Sequence, residues 1–445
     1  MEEFAHDAQM YSTAKLVLLV MVGSCAGIWC IGKLLKQNIP LALNLFVSAA
    51  IGSVVGGFGI PWRHLVEGPM FYIYINLVIF TALIMLQVMK ESGSLEAIAW
   101  DILLAFRKSP VILLLLLLLM IFFPAMVTGI GAAAVLSTGV IVAVILQAVG
   151  VPKIETAAIL AMISTLGAIA PPVNLSALII ASGLNMPFDG FTQILILLSV
   201  PPAIFTMFFL AFRHFKVLSV EEIKTILPVP ERRFALQSYL PLITVVGIYL
   251  AIALFPRHFP DLVSPLIFMI GALVAMFTGK RVNFFKAAST AMSGKLFNVV
   301  AVFFVVGAVV QVMTLTGVKG YLVISTFEIS HISLILLYLA LGIGAPLLGG
   351  AITHLGVAAV LGVPFGFAML TSNTIVVVSC ISVFCIMSQI VPPSALGGYS
   401  SQDVVKLPSY KPILIRCAIP YLVTTVYTLI ILHYAKQFAA WFVPF

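Results

Sequence analysis

Two proline pairs, Pro171-Pro172 and Pro392-Pro393, each stand inside an apolar run, in IAPPVNLSALIIASGLNMP (169–187) and IVPPSALGGYSS (390–401). Proline has no N–H and bars the residue before it from helical dihedrals, so each pair removes two rungs of the helical ladder. In the first run the freed carbonyls are those of Gly167 and Ala168. One spanning helix becomes two half-helices. In hydrocarbon such groups are tolerated only where protein buries them or where they line a wet cavity. The half-helix before each break offers carbonyls to a small cation, and the one after it offers N–H groups and a positive dipole end to an anion. Matching interruptions in the two halves of a chain point to the substrate site of a secondary transporter.

A small, polar joint between apolar runs precedes each proline pair: PAMVTGIGAAA at 124–134 and GGAITH at 349–354. Each joint reads as the tip of a re-entrant helical hairpin near mid-membrane. The candidate ligand contacts of the first half are Thr128, Gly129 and Gly131 at the tip, with Gly167, Pro171, Pro172 and Asn174 at the break. Asn174 carries both a carbonyl oxygen and an amide N–H to offer a ligand. Those of the second half are Gly349, Gly350, Thr353 and His354 at the tip, then Ser388, Pro392, Pro393, Ser394 and Gly397 at the break. The plainer readings are close helix packing for the glycines, unliganded kinks for the prolines, and hydrogen-bonded packing for His354, the one histidine deep in an apolar region. Acidic residues such as Glu91, Glu155, Asp189 and Asp403 fall near loops, not at the centre of spans. Proton-driven carriers relay through buried carboxylates, whereas carbonyls and hydroxyls suit a hard monovalent cation. Sodium is therefore the expected coupling ion, with no other cofactor or metal and no catalytic residue.

The composition sets these residues in a membrane. Of 445 residues, 62% are hydrophobic and 9% are charged, against roughly 25% charged in soluble domains. The expected fold is all-α and polytopic. All five cysteines lie in apolar runs without C-x-x-C or metal-ligand spacing, which reads as packing. The run from Leu16 to Ile31 follows an acidic segment and lacks a small-residue cleavage site, so it reads as a retained span and not as a signal peptide.

The positioning elements follow in two rounds. Spans are expected near 16–32, 40–60 and 71–89, then the first hairpin, a broken span over 154–185 and a closing span over 190–212. A polar connection over 213–238, containing VEEIKTILPVPERRF, separates this half (1–212) from the next (239–445). There, spans near 239–256, 261–279 and 297–315 lead to a hairpin over 331–363, a broken span over 370–401 and a closing span over 412–433. The spans at 16–60 and 239–279 read as scaffold, and those at 71–212 and 297–436 as transport elements. LQVMKESG matches VQVMTLTG, AAAVL matches VAAVL and APPVN matches VPPSA at offsets of 224, 225 and 221 residues. Each half crosses an odd number of times, five if its hairpin turns back and seven if it spans, so the second half is expected to be an inverted repeat of the first.

Charge gives the orientation. With the N-terminus outside, 18 of the 23 Lys and Arg fall on inner connections and only Lys15, Arg63, Arg257, Lys319 and Lys436 remain outside, a strong positive-inside bias. It accounts for the net charge of +8 without a nucleic-acid partner and places both termini outside.

The pattern resembles the large membrane (permease) subunit of tripartite ATP-independent periplasmic (TRAP) transporters, within the ion transporter superfamily. The resemblance rests on GAIAPPVNLSALIIASGLNMP (167–187), on QIVPPSALGGYSSQ (389–402) and on a hairpin ahead of each break, and covers about Val78 to Tyr434. It implies an elevator-type carrier in a prokaryotic cytoplasmic (inner) membrane, taking small organic acids such as C4-dicarboxylates or sugar acids with sodium. It further implies a small membrane subunit and a soluble substrate-binding protein as partners. This chain has VTGIGAAA at its first tip, where the family is usually richer in serine and threonine. A stand-alone sodium/anion symporter of the same superfamily would need no binding protein. A channel would have to show single-channel conductance, and a membrane-embedded enzyme acting on lipid would need converging His, Asp or Glu side chains.

Overall fold

A computed structural model describes residues 2–37, 39–227, 229, 235–255, 257–260, 262–370 and 372–442. Every regular element among them is helical, and eight helices are long and apolar enough to cross a bilayer, or up to nine if one sharply bent pair counts as a span. The chain is a polytopic, all-helical membrane protein.

In order, the helices are α1 (Glu2–Leu34), α2 (Leu41–Val55), α3 (Trp62–Phe71), α4 (Ile73–Glu91) and α5 (Ser94–Phe106). A hairpin follows, formed by α6 (Pro110–Thr128) and α7 (Gly131–Ala148). The first broken span is α8 (Lys153–Ile169) with α9 (Leu175–Gly183), and α10 (Thr192–Ala211) closes the half. Beyond α11 (Val220–Ile226) lie α12 (Ala235–Leu254), α13 (Ser264–Thr278), α14 (Phe284–Ala291), α15 (Gly294–Leu315) and α16 (Val318–Ile332). The second hairpin, α17 (Leu334–Ala368), reverses at Thr353, whose φ of 74° and ψ of 161° interrupt the helix. The second broken span is α18 (Thr374–Met387) with α19 (Leu396–Val405), followed by α20 (Lys411–His433) and α21 (Ala435–Phe442).

Both hairpins and both breaks thus lie where proline and small polar residues interrupt the apolar runs. Elsewhere the elements differ from the expected spans. The span expected over 40–60 is a helix of 15 residues, about 22 Å long, because it starts after Pro40 and ends where Gly57 turns to φ 85°. Helices α3, α5, α14 and α16 were not expected. Charged residues in WRHLVEGPMF and SLEAIAWDILLAF dilute the apolar average on which a span expectation rests. The polar connection expected over 213–238 is described only in part. It contains α11, started by a capping box in which Ser219 Oγ accepts the Glu222 N–H and the Glu222 carboxylate accepts the Ser219 N–H.

The same backbone features recur at nearly constant offset. Gly93 and Gly317 take φ of 77° and 74°, the left-handed region that glycine enters without penalty. They end α4 and α15 and turn the chain into α5 and α16. A turn of π-helix occupies Val135–Gly139 after the first tip and Ala358–Gly362 after the second. The peptide bonds Pro171-Pro172 and Pro392-Pro393 are both cis.

Packing groups the elements in two sets. Helix α15 lies along α2 and α3, and α13 lies along α4 and α12. The hairpins, broken spans and closing helices pack on one another: α8 touches α6, α10, α19 and α20, while α18 touches α9 and α17. Nearly every residue of α8 and α18 is buried.

Candidate functional site

The two broken spans pack crosswise. The half-helix before each break lies against the half-helix after the other, α8 on α19 and α18 on α9. Carbonyl ends and N–H ends of opposite halves are thereby brought to one buried centre.

The hairpin tips reach across in the same sense. At the first tip the Gly131 N–H donates to Gln389 Oε1 at 3.0 Å, a bond between residues 258 apart in sequence. At the second, Ser176 Oγ donates to the His354 carbonyl at 3.4 Å. Each tip also leans on the break of its own half. Ser394 donates its N–H to the Gly350 carbonyl at 2.7 Å and its hydroxyl to the Gly349 carbonyl at 3.2 Å. A Cβ on Gly129 would lie 3.0 Å from the Val173 carbonyl oxygen.

Residue by residue, the sequence candidates divide. Thr128 closes its own tip: its hydroxyl donates to the Pro124 carbonyl at 2.7 Å and accepts the Ile130 N–H at 3.2 Å. Gly167 serves close packing, since a Cβ there would sit 2.7 Å from the Phe122 carbonyl oxygen. Gly349, Gly350, Ser388, Pro392 and Ser394 form one interlock, in which Cβ atoms on the two glycines would meet Ser388 Oγ at 2.5 Å and the Pro392 carbonyl oxygen at 2.7 Å. Asn174 spends its amide on the protein. Its Nδ2 donates to the Ile169 carbonyl at 3.0 Å and to Ser382 Oγ at 2.9 Å, and its Oδ1 caps α9 by accepting the Ala177 N–H at 2.8 Å. Thr353 holds a backbone conformation that costs a β-branched residue roughly 1–3 kcal/mol. His354, 1% exposed, has no hydrogen-bond partner on either ring nitrogen among the described residues and meets Phe303 edge-on.

Two groups remain for a ligand at the second break. The Gln389 carbonyl faces Pro392 and Pro393, and the next N–H, from Ser394, goes to Gly350, so no main-chain donor reaches it among the described residues. It lies with Thr165 Oγ1 and Ser164 Oγ around Gly397, at 3.5, 3.4 and 3.7 Å from where a Cβ would be. The missing side chain leaves an oxygen-lined corner. Gln389 is 2% exposed and its Nε2 has no partner among the described residues. The adjoining α19 carries no side-chain cap, so its first N–H groups and dipole remain available, whereas those of α9 are capped by Asn174. At the first break the Gly167 carbonyl, expected to be free, accepts the Ala170 N–H at 3.0 Å, while the Ala168 carbonyl meets two prolines and keeps no main-chain donor among the described residues.

Gln389, Ser164, Thr165, Ser176 and Ser382 were missed in the sequence. The one available signal was a lone amide three residues ahead of a proline pair. Among the described residues, no three His, Cys, Asp or Glu side chains come together as a metal site. Glu155, the most buried acid among the described residues, pairs with Arg416 at 3.3 Å near the start of α8.

Gly350→Val is expected to break the second interlock, because any Cβ meets fixed main-chain oxygens of Val391 and Pro392. Overpacking of this kind costs about 1–3 kcal/mol, and the purified variant should melt at a lower temperature than wild type. Unchanged melting would show that the tip need not seat on the break.

Compared with protein-family models and with the sequences of curated proteins, the chain matches none.

Proposed function

We propose that the chain is a sodium-coupled secondary carrier of small organic acids, built as an inverted repeat and moving its substrate by an elevator motion. The observation that carries this reading is the crossed meeting of two broken helices and two hairpin tips at one buried centre, where main-chain oxygens and N–H groups are left for solutes. The Gln389 carbonyl with Ser164 and Thr165 suits sodium. Gln389 Nε2 and the uncapped start of α19 suit a carboxylate.

Electrostatics favours the pairing. The side chains at this centre are uncharged, and an ion buried alone in a low-dielectric site carries a large solvation cost. A carboxylate entering with sodium keeps the load close to neutral and gains their mutual attraction. The repeat reading is supported by the left-handed glycines, π-turns and proline pairs at matched positions.

Packing also bears on orientation. Lys280 N–H donates to the Ser92 carbonyl at 3.0 Å and Lys216 N–H to the Val149 carbonyl at 2.7 Å, while Arg416 pairs with Glu155. These contacts join segments that carry Lys90, Lys153 and the other cations assigned to the inner face. Tyr11 and Tyr321, near the outer-face Lys15 and Lys319, have ring centroids 4.7 Å apart. The two sets fit a cytoplasmic membrane with both termini outside. As the permease of a TRAP-type system, the chain would work with a small membrane subunit and a soluble binding protein.

Uptake into proteoliposomes tests the proposal with a panel of dicarboxylates and sugar acids. An inward sodium gradient is expected to raise uptake of the accepted acid about tenfold over a potassium control, within the usual range for coupled ligands. Equal uptake in both would overturn sodium coupling.

A further inference from the structure

A cavity of about 490 Å3 lies away from the transport centre, between α12 and the first hairpin. One wall is a stripe of α12, Tyr239, Leu242, Ile243, Val246, Gly247 and Leu250, whose spacing is that of one helix face. Opposite stand Phe123 of α6 and Thr138 of α7, with Ile98 of α5 beside them. Apart from the Tyr239 and Thr138 hydroxyls and the Met120 thioether the lining side chains are hydrocarbon, and α12 is largely exposed: only 17% of its span is buried. A Cβ on Gly247 would touch nothing within 4 Å.

The dimensions choose the occupant. From Tyr239 to Leu250 the stripe runs about 16 Å at 1.5 Å per residue, and 490 Å3 over that length leaves a mean cross-section of about 30 Å2. A helix with its side chains is about 10 Å across and needs ~80 Å2, so a helix of a partner protein does not fit. A single extended hydrocarbon chain does. We propose that this groove binds one acyl chain of a bilayer phospholipid, held between α12 and the hairpin that carries Gly129 and Gly131. The proposal needs only the membrane location and does not rest on the transport reading.

The test uses the full-length protein in nanodiscs containing a phospholipid with a photoreactive diazirine midway along one acyl chain. Cross-linked peptides are then mapped by mass spectrometry. The control surface is the shallow apolar hollow of Ile204, Phe205, Phe208 and Phe209 on α10, which meets lipid without enclosing it. Cross-linking is expected to concentrate on the peptide holding Tyr239 to Leu250, and Gly247→Phe, which fills the groove, should remove at least nine-tenths of that excess while leaving the α10 yield unchanged. Gly247→Leu serves as a second filling variant if the phenylalanine variant is not monodisperse. Equal yields on α12 and α10, or an α12 excess that survives the filling variant, would overturn the proposal.

Discussion

Gln389→Glu is expected, on the proposed function, to weaken binding of the organic acid by about 10- to 100-fold while the protein keeps its fold. The side chain has two ends with separate tasks. Its Oε1 accepts the Gly131 N–H and ties the first hairpin tip to the second break, and a glutamate oxygen preserves that acceptor. Its Nε2 is buried without a partner beside a helix start that has no cap. Substitution removes this donor and sets a carboxyl group against an anionic ligand. A hydrogen bond to a charged partner contributes about 1.5–3 kcal/mol, which converts to the stated range. Gln389→Leu separates the two tasks. It strands the Gly131 N–H and should lower stability by about 1–3 kcal/mol as well. Equilibrium binding in sodium, read beside thermal melting in detergent, distinguishes the outcomes. Unchanged affinity in the glutamate variant would remove Nε2 from the binding site.

The contrast between Gln389 and its neighbours shows what a sequence reveals in such a protein. Proline pairs and glycine-bearing tips are local signals: they dictate where a ladder fails and where a chain reverses, whatever surrounds them. The reversals at Gly129 and Thr353 and the breaks at Pro171 and Pro392 were therefore legible. Pairing across the centre was not. Gly131 with Gln389, Asn174 with Ser382 and Ser176 with His354 join residues 258, 208 and 178 positions apart, and periodicity within a span carries no trace of its partner in the other half. Side-chain chemistry alone also overstates availability. Asn174 has the groups a ligand would want, yet asparagine at a helix start is a preferred cap, and capping is what its oxygen does here.

Asn174→Ala is accordingly expected to cost stability as well as uptake. Three bonds converge on this fully buried side chain, from it to the Ile169 carbonyl and Ser382 Oγ and to it from the Ala177 N–H. Losing the cap costs about 1 kcal/mol. Stranding the Ile169 carbonyl in a buried site adds about 1–3 kcal/mol, so a total near 2–4 kcal/mol is expected. Ser382 keeps a partner, because its hydroxyl also donates to the Ser379 carbonyl at 2.7 Å. The bond from Asn174 to Ser382 is the one that joins the two breaks, and its loss frees α9 to shift against α18. Asn174→Ser provides the discriminating control: serine caps about as well as asparagine but is too short to reproduce both Nδ2 bonds. It should recover the capping share of the stability and none of the coupling between halves, leaving uptake impaired in a protein that melts closer to wild type. Full uptake in the serine variant would mean that Asn174 matters only as a cap, and the halves would then have to communicate through the hairpin tips and the packing of α8 on α19 and α20.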